Sequence, residues 1–291
     1  MNGPRIVSLM PAATEWLTLL HATDLLVGGT ARCRRISGLH ALPVVLTGPA
    51  SRALSMTPSE PLERSARDHV DAEAMQDLAP DLVIANAWDE RWDDDTEGRL
   101  LSWSGGEAEI WWWDARTMRD VLELALLTGR RIRRFERAMQ VMGDRERELR
   151  IWRDRIGLHR RAPDQALIRT AVVSSLEQPV LAGGWTAELV DRAALLQVGP
   201  ASGRPSERVT WEAVLEKDPQ LVILAIRPDE WDHAGRIVAG AGISQAARVV
   251  CYDPEGRLDS AGPGLHDAIL DLAAIAHELD GRDLARRARR L

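Results

Sequence analysis

Residues 73–85 read EAMQDLAPDLVIA, and residues 212–225 read EAVLEKDPQLVILA. In each, a Glu opens a short helical stretch, a Pro closes it, and a run of branched apolar residues follows. Glu73 and Glu212 are 139 residues apart, as are Pro80 and Pro219. Two positions before each Glu stands a residue suited to cap a helix, Asp71 in one copy and Thr210 in the other. Proline cannot continue the helix, so both copies predict helix, turn and buried strand. One such unit in each half predicts two lobes of similar build, rather than a solenoid of many short periods.

The flanking sequence extends this pattern. Residues 5–9 (RIVSL) and 167–174 (LIRTAVVS) have strand character. Each is followed by a small-residue turn and then a helical pattern, over 12–21 and 186–196. Further strands read at 82–85, 108–113, 221–226 and 248–252. Strands alternating with helices predict α/β lobes with mainly parallel sheets. From 117 to about 159 the chain is helical in pattern and dense in charge. Leu122, Leu126, Ile132, Phe135, Met139, Met142, Leu149 and Trp152 form its apolar stripes, and Gly129 and Gly143 mark places where it can break. It reads as a helical bridge that limits hinging. The expected division is an N-terminal lobe over 1–116, the bridge over 117–160 and a C-terminal lobe over 161–291, with a ligand cleft between lobes. The basic tail, 282–291, reads as a solvated helix end.

Composition narrows the function. Of 291 residues, 45% are apolar and 28% charged, which excludes a disordered chain. Two cysteines, Cys33 and Cys251, cannot form a disulfide scaffold and read as reduced thiols. No apolar run is long enough to span a bilayer. The net charge of −7 argues against a nucleic-acid partner. The aromatic content is lopsided: 11 Trp stand against one Phe and one Tyr. Nucleotide-binding glycine motifs, a nucleophile elbow and zinc-ligand spacings are all missing, so no catalytic residue, metal site or bound cofactor is assigned. The start, MNGPRIVSLMPAATE, has no basic segment followed by an apolar stretch and cleavage site. That predicts a cytoplasmic location, with an extracytoplasmic one as the alternative if a leader is missing.

The strand followed by PAATE (11–15), the PDLVIA unit, WWWDA (111–115), the helical bridge, GGWTAELV (183–190), VTWEAVLEKDPQLVIL (209–224) and GPGLHDAILDLAAIAHEL (262–279) occur in an order that resembles a known family. It is similar to the class III substrate-binding proteins of ABC importers, which handle cobalamin, ferric siderophores and haem. The cobalamin-binding members and their leaderless relatives fit best.

The resemblance implies two α/β lobes bridged by a helix and a non-catalytic, monomeric binding protein. It would hold a large small-molecule ligand between the lobes and work with an ABC permease. By position, it implies ligand contacts from Trp88, Trp185, Arg32, His69, Arg257 and Asp259. It also implies that Glu73 and Glu212 dock to permease arginines. Where the family carries an aromatic and a DYP triplet, this chain has Arg32 and Arg34-Arg35-Ile36. Guanidinium groups suit carboxylates or phosphates, which turns the expectation from cobalamin toward an anionic ferric chelate, haem or a corrinoid precursor. The alternative reading is a two-lobed α/β enzyme, transferase-like, using the same cleft.

Overall fold

A computed structural model describes residues 3–36, 38–46, 70–87, 95–155, 167–252, 257–258, 260–277 and 288–291. The first sheet contains β1 (Ile6–Ser8), β2 (Leu26–Thr30), β3 (Val44–Leu46), β4 (Leu82–Asn86) and β5 (Glu109–Trp113). Their order is β3-β2-β1-β4-β5 and every pairing is parallel. Helices α1 (Pro11–Leu19), α2 (Ala72–Leu78) and α3 (Thr96–Trp103) belong to this lobe. The strand order reverses between β1 and β4, the place where open α/β sheets form a crevice at their carboxyl ends.

Two helices follow, α4 (Met118–Arg131) and α5 (Phe135–Arg155). The second sheet is built from β6 (Ile168–Val173), β7 (Val180–Leu181), β8 (Leu195–Gln197), β9 (Glu207–Arg208), β10 (Leu221–Ala225), β11 (Arg248–Tyr252) and β12 (Ala288–Arg290). Its centre, β8-β6-β10-β11, is parallel, while β7, β9 and β12 are added antiparallel. Helices α6 (Thr186–Arg192), α7 (Trp211–Glu216), α8 (Trp231–Gly240), α9 (Ile243–Ala246) and α10 (Gly264–His277) complete this lobe.

The internal repeat is real down to backbone detail. The Asp71 side chain accepts from Ala74 N–H at 2.9 Å, and Thr210 accepts from Ala213 N–H at 3.3 Å. Each helix then stops at a left-handed residue directly before the proline, Ala79 (φ 38°) and Asp218 (φ 49°). The two strands also share a register. Leu82 and Ile84, like Leu221 and Ile223, face the large central core; Val83 and Ala85, like Val222 and Leu224, face separate outer clusters. Strands covered on both faces are why the sequence shows continuous apolar runs rather than alternation.

The bridge is a helical hairpin. Thr117 and Asp120 form a capping box at the start of α4, and α4 turns into α5 through Arg133 at φ 58°. Gly129 sits at the crossing: a Cβ there would lie 2.6 Å from Ala138 Cβ. Gly143 does not break the helix, because α5 runs straight through it. The first turns of α5 touch the N-terminal lobe, where Arg137 Nε donates to Leu19 O at 3.2 Å. Later turns touch the C-terminal lobe, through Arg145–Asp267 at 3.7 Å and Arg192–Glu146 at 3.0 Å. One buried cluster runs through both lobes and the bridge, from Trp16 and Trp113 through Met118, Ile132 and Leu149 to Trp185, Leu189 and Leu272.

Two local expectations are corrected. The helix expected over 186–196 ends at Arg192, because Ala194 adopts φ 59° and the chain enters β8. The basic C-terminus is not a helix end. Residues 288–290 form β12 against β11, with Arg289 paired to Asp232 at 2.8 Å. An exposed sheet edge offers this segment a ladder of hydrogen bonds that a short isolated helix cannot match.

Candidate functional site

The segment containing Arg257, Leu258 and residues 260–263, which follows β11 at the carboxyl end of the second sheet, is contacted from both lobes. From the N-terminal lobe, the Trp16 indole on α1 donates from Nε1 to Ala261 O at 3.0 Å. From the C-terminal lobe, the Trp185 indole donates to Leu258 O at 2.8 Å. Both rings are buried, 1% and 5% exposed. Gly262 packs closely on α1: a Cβ there would stand 2.6 Å from Glu15 Oε2 and 3.6 Å from Ala12 Cα.

Arg257 is held from behind. Its Nη1 donates to Asp271 Oδ2 at 3.0 Å, and the Tyr252 hydroxyl donates to the same oxygen at 2.9 Å. Asp271 is 2% exposed on α10, a burial that a carboxylate tolerates only with such partners. The GGWT turn is equally constrained. Gly184 has φ 58°, and a Cβ on Gly183 would lie 2.4 Å from Arg204 O. Glu188 on α6 accepts from Met118 N–H at 2.8 Å and from the Ser202 hydroxyl, tying the first turn of α4 to the C-terminal lobe.

At the carboxyl end of β2, the arginine loop is anchored by Cys33, which is fully buried. The Thr14 hydroxyl lies 3.0 Å from Cys33 Sγ and 2.9 Å from Ser8 Oγ, and Thr30 Oγ1 is 3.2 Å from the same sulfur. With Cys33 inside, its neighbours are turned out. Arg35 is exposed, and the Arg34 guanidinium donates back to Leu42 O at 2.6 Å. Arg32 is half-buried and its guanidinium makes no hydrogen bond or ion pair among the described residues.

Of the residues implicated by sequence, Trp185 and Arg257 are brought to one segment, while Arg32 stands on the other lobe. Trp88, His69 and Asp259 lie outside the described residues. Glu73 and Glu212 are both exposed, in the first turns of α2 and α7, one on each lobe. The Glu212 backbone N–H and the Thr210 hydroxyl hold its carboxyl below the ordinary range. Sequence reasoning singled out neither Trp16, whose indole is buried in the central core, nor Asp271 and Glu188. The only advance signal was that Tyr252 is the chain's single tyrosine. Among the described residues, no group of three or more His, Cys, Asp or Glu could hold a metal ion, and no helix is long and apolar enough to cross a membrane.

No protein-family model matches the chain, and no curated protein is similar to it in sequence. Solved structures are similar over nearly the whole length. A periplasmic haem-binding protein from Pseudomonas aeruginosa superposes with a TM-score of 0.69 at 21% identity, covering 100% of this chain and 95% of that one. The periplasmic vitamin B12 binding protein BtuF of Vibrio cholerae gives 0.64 at 18% identity, covering 95% and 99%. An ABC-type Fe3+-hydroxamate transport system from Saccharomonospora viridis gives 0.64 at 17% identity, covering 96% and 94%. This is the class III substrate-binding protein fold. The two-lobed architecture implied by the sequence resemblance is therefore present. The cytoplasmic expectation is overturned, because the proteins that share this fold include periplasmic binding proteins. A leader is a separable segment that leaves no imprint on the folded domain, so the start of the chain was a poor guide.

Proposed function

We propose that this chain is an extracytoplasmic, non-catalytic binding protein that holds one large ligand between its lobes and passes it to an ABC permease. The observation that carries this reading is the segment around 257–263, reached by an indole from each lobe at the carboxyl end of the second sheet. Ligand sites of open α/β sheets form at such carboxyl-end crevices. A tetrapyrrole or ferric chelate bearing carboxylates fits best. Arg257 is pre-oriented by Asp271, and Arg32 and Arg35 at the carboxyl end of β2 present guanidinium groups suited to bidentate recognition of carboxylates. Trp88, Trp185, His69 and Asp259 belong to the same proposed contact set, and Glu73 and Glu212 to a proposed permease-facing surface.

The test is titration of the purified protein with haem, cobalamin, cobinamide and ferric hydroxamates, read by tryptophan fluorescence and native mass spectrometry. The expected result is a 1:1 complex with one of them and quenched emission. Flat titrations with all four would overturn the reading.

A further inference from the structure

Away from the inter-lobe segment, α5 and α6 enclose a second concavity. Glu146, Leu149, Arg150 and Arg153 line it from α5 and Arg192 lines it from the last turn of α6, around a volume of about 190 Å³. The four α5 residues are spaced i, i+3, i+4, i+7, so all project from one face of the helix. Three guanidinium groups therefore face one carboxylate. Glu146 is engaged by Arg192 at 3.0 Å, whereas the guanidinium groups of Arg150 and Arg153 make no hydrogen bond or ion pair among the described residues. Two like charges one turn apart repel along the helix.

We propose that this concavity binds a small oxyanion carrying two negative charges, of the phosphate or dicarboxylate kind. Its volume falls below the roughly 300–1,000 Å³ of sites for drug-sized ligands, so it is no second place for a macrocycle. The planar guanidinium fork matches carboxylate and phosphate oxygens in pairs. Leu149, 5% exposed, supplies an apolar floor that strengthens each charge contact relative to open water.

A second observation supports an exchange of partners at the site. His266 on α10 is 2% exposed, and neither ring nitrogen has a hydrogen-bond partner. Its Nε2 lies 3.9 Å from Glu146 Oε1. An anion that takes Arg192 leaves Glu146 next to this idle nitrogen, which donates in the Nε2–H tautomer. Occupancy would thus rearrange the contact between the bridge and the C-terminal lobe.

The experiment is calorimetric titration of the full chain at low ionic strength with inorganic phosphate and with succinate, using acetate as the monoanion. The expected result is 1:1 binding of at least one dianion, clearly tighter than acetate. Phosphate without succinate would assign a phosphoryl group, and the reverse a dicarboxylate. Replacing both α5 arginines (R150A/R153A) should weaken binding about a hundredfold, roughly tenfold for each charge-assisted contact. Glu146→Gln, which removes the competing carboxylate, should tighten it, and Arg236→Ala on α8 should leave it unchanged. Absence of heat with both dianions, unaltered binding by R150A/R153A, weaker binding by Glu146→Gln, or loss in Arg236→Ala would each overturn the proposal.

Discussion

The indole of Trp16 donates to the carbonyl of Ala261 at 3.0 Å, across 245 residues of chain. Trp185 holds the same segment from the other side, through Leu258 O at 2.8 Å. Ala261 and Leu258 are themselves buried, so their carbonyls have no ready substitute in water. The segment that follows β11 is thereby shared property of both lobes.

Trp16→Phe keeps most of the apolar surface but leaves Ala261 O without its donor. The expected cost is about 1–3 kcal/mol, the penalty for an unsatisfied buried acceptor, and Trp16→Ala should cost about 3–5 kcal/mol. Urea unfolding measures both. Amide exchange in residues 257–263 should accelerate in Trp16→Phe; an unchanged exchange pattern would show that the indole does not hold the segment.

Gly129 and Gly143 should respond in opposite directions to alanine. Alanine has the better helix propensity, by about 1 kcal/mol. At Gly143 nothing lies within 4 Å of the added carbon, so Gly143→Ala should be neutral or stabilising. At Gly129 the carbon meets Ala138 Cβ at 2.6 Å and Arg134 O at 3.2 Å, so α4 and α5 must part. Overpacking of this kind costs about 1–3 kcal/mol, and a lowered melting temperature for Gly129→Ala alone is the expected result.

His266 makes stability sensitive to acid. Burial is the main cause that pushes its imidazole down from 6.5 to about 4, with Glu146 pulling the other way and Arg145 and Arg192 adding to the fall. The folded state therefore keeps the ring neutral while the unfolded chain protonates it. Its effect is nil above pH 6.5, grows as pH falls from 6.5 toward 4, and is complete below that. The slope approaches about 1.4 kcal/mol per pH unit. His266→Leu should flatten the stability curve in this window relative to wild type; parallel curves would contradict the assignment.

Cys251 should be chemically silent in the native state. Burial, only partly countered by Arg289, pushes its thiol up to about 12, so thiolate is scarce at neutral pH. Cys33 is also fully buried. Ellman's reagent at pH 8 should detect no fast thiol in the folded protein and two after denaturation. A rapidly labelled thiol in the folded protein would show that one of these sulfurs is accessible.

Much of the fold was legible because its signals are local. Caps, prolines and branched runs within residues 71–85 and 210–225 predicted two equivalent helix–strand units, and Leu82 and Leu221 turned out to occupy equivalent core positions. Where a competing interaction lay outside the window, the reading failed. Residues 288–290 gave up a helical pattern for the free edge of β11, and residues 195–197 did the same beside β6. The candidate site was less legible. Trp185 and Arg257 do converge, but the Trp16 contact gave no local signal, nor did the carboxylate of Asp271 behind Arg257.

The sequence alone determined the helix–turn–strand units of residues 71–85 and 210–225 and the doubling of the lobe. Backbone hydrogen bonding and side-chain periodicity act over a few residues, so a short window contains the whole cause. Tertiary structure alone decided which side chains became neighbours. Trp16 reached Ala261, Arg257 found Asp271, and Arg192 was laid beside Arg150 and Arg153. Those pairings depend on how two sheets and a helical hairpin close around one shared core, and no local pattern encodes a distance across 245 residues.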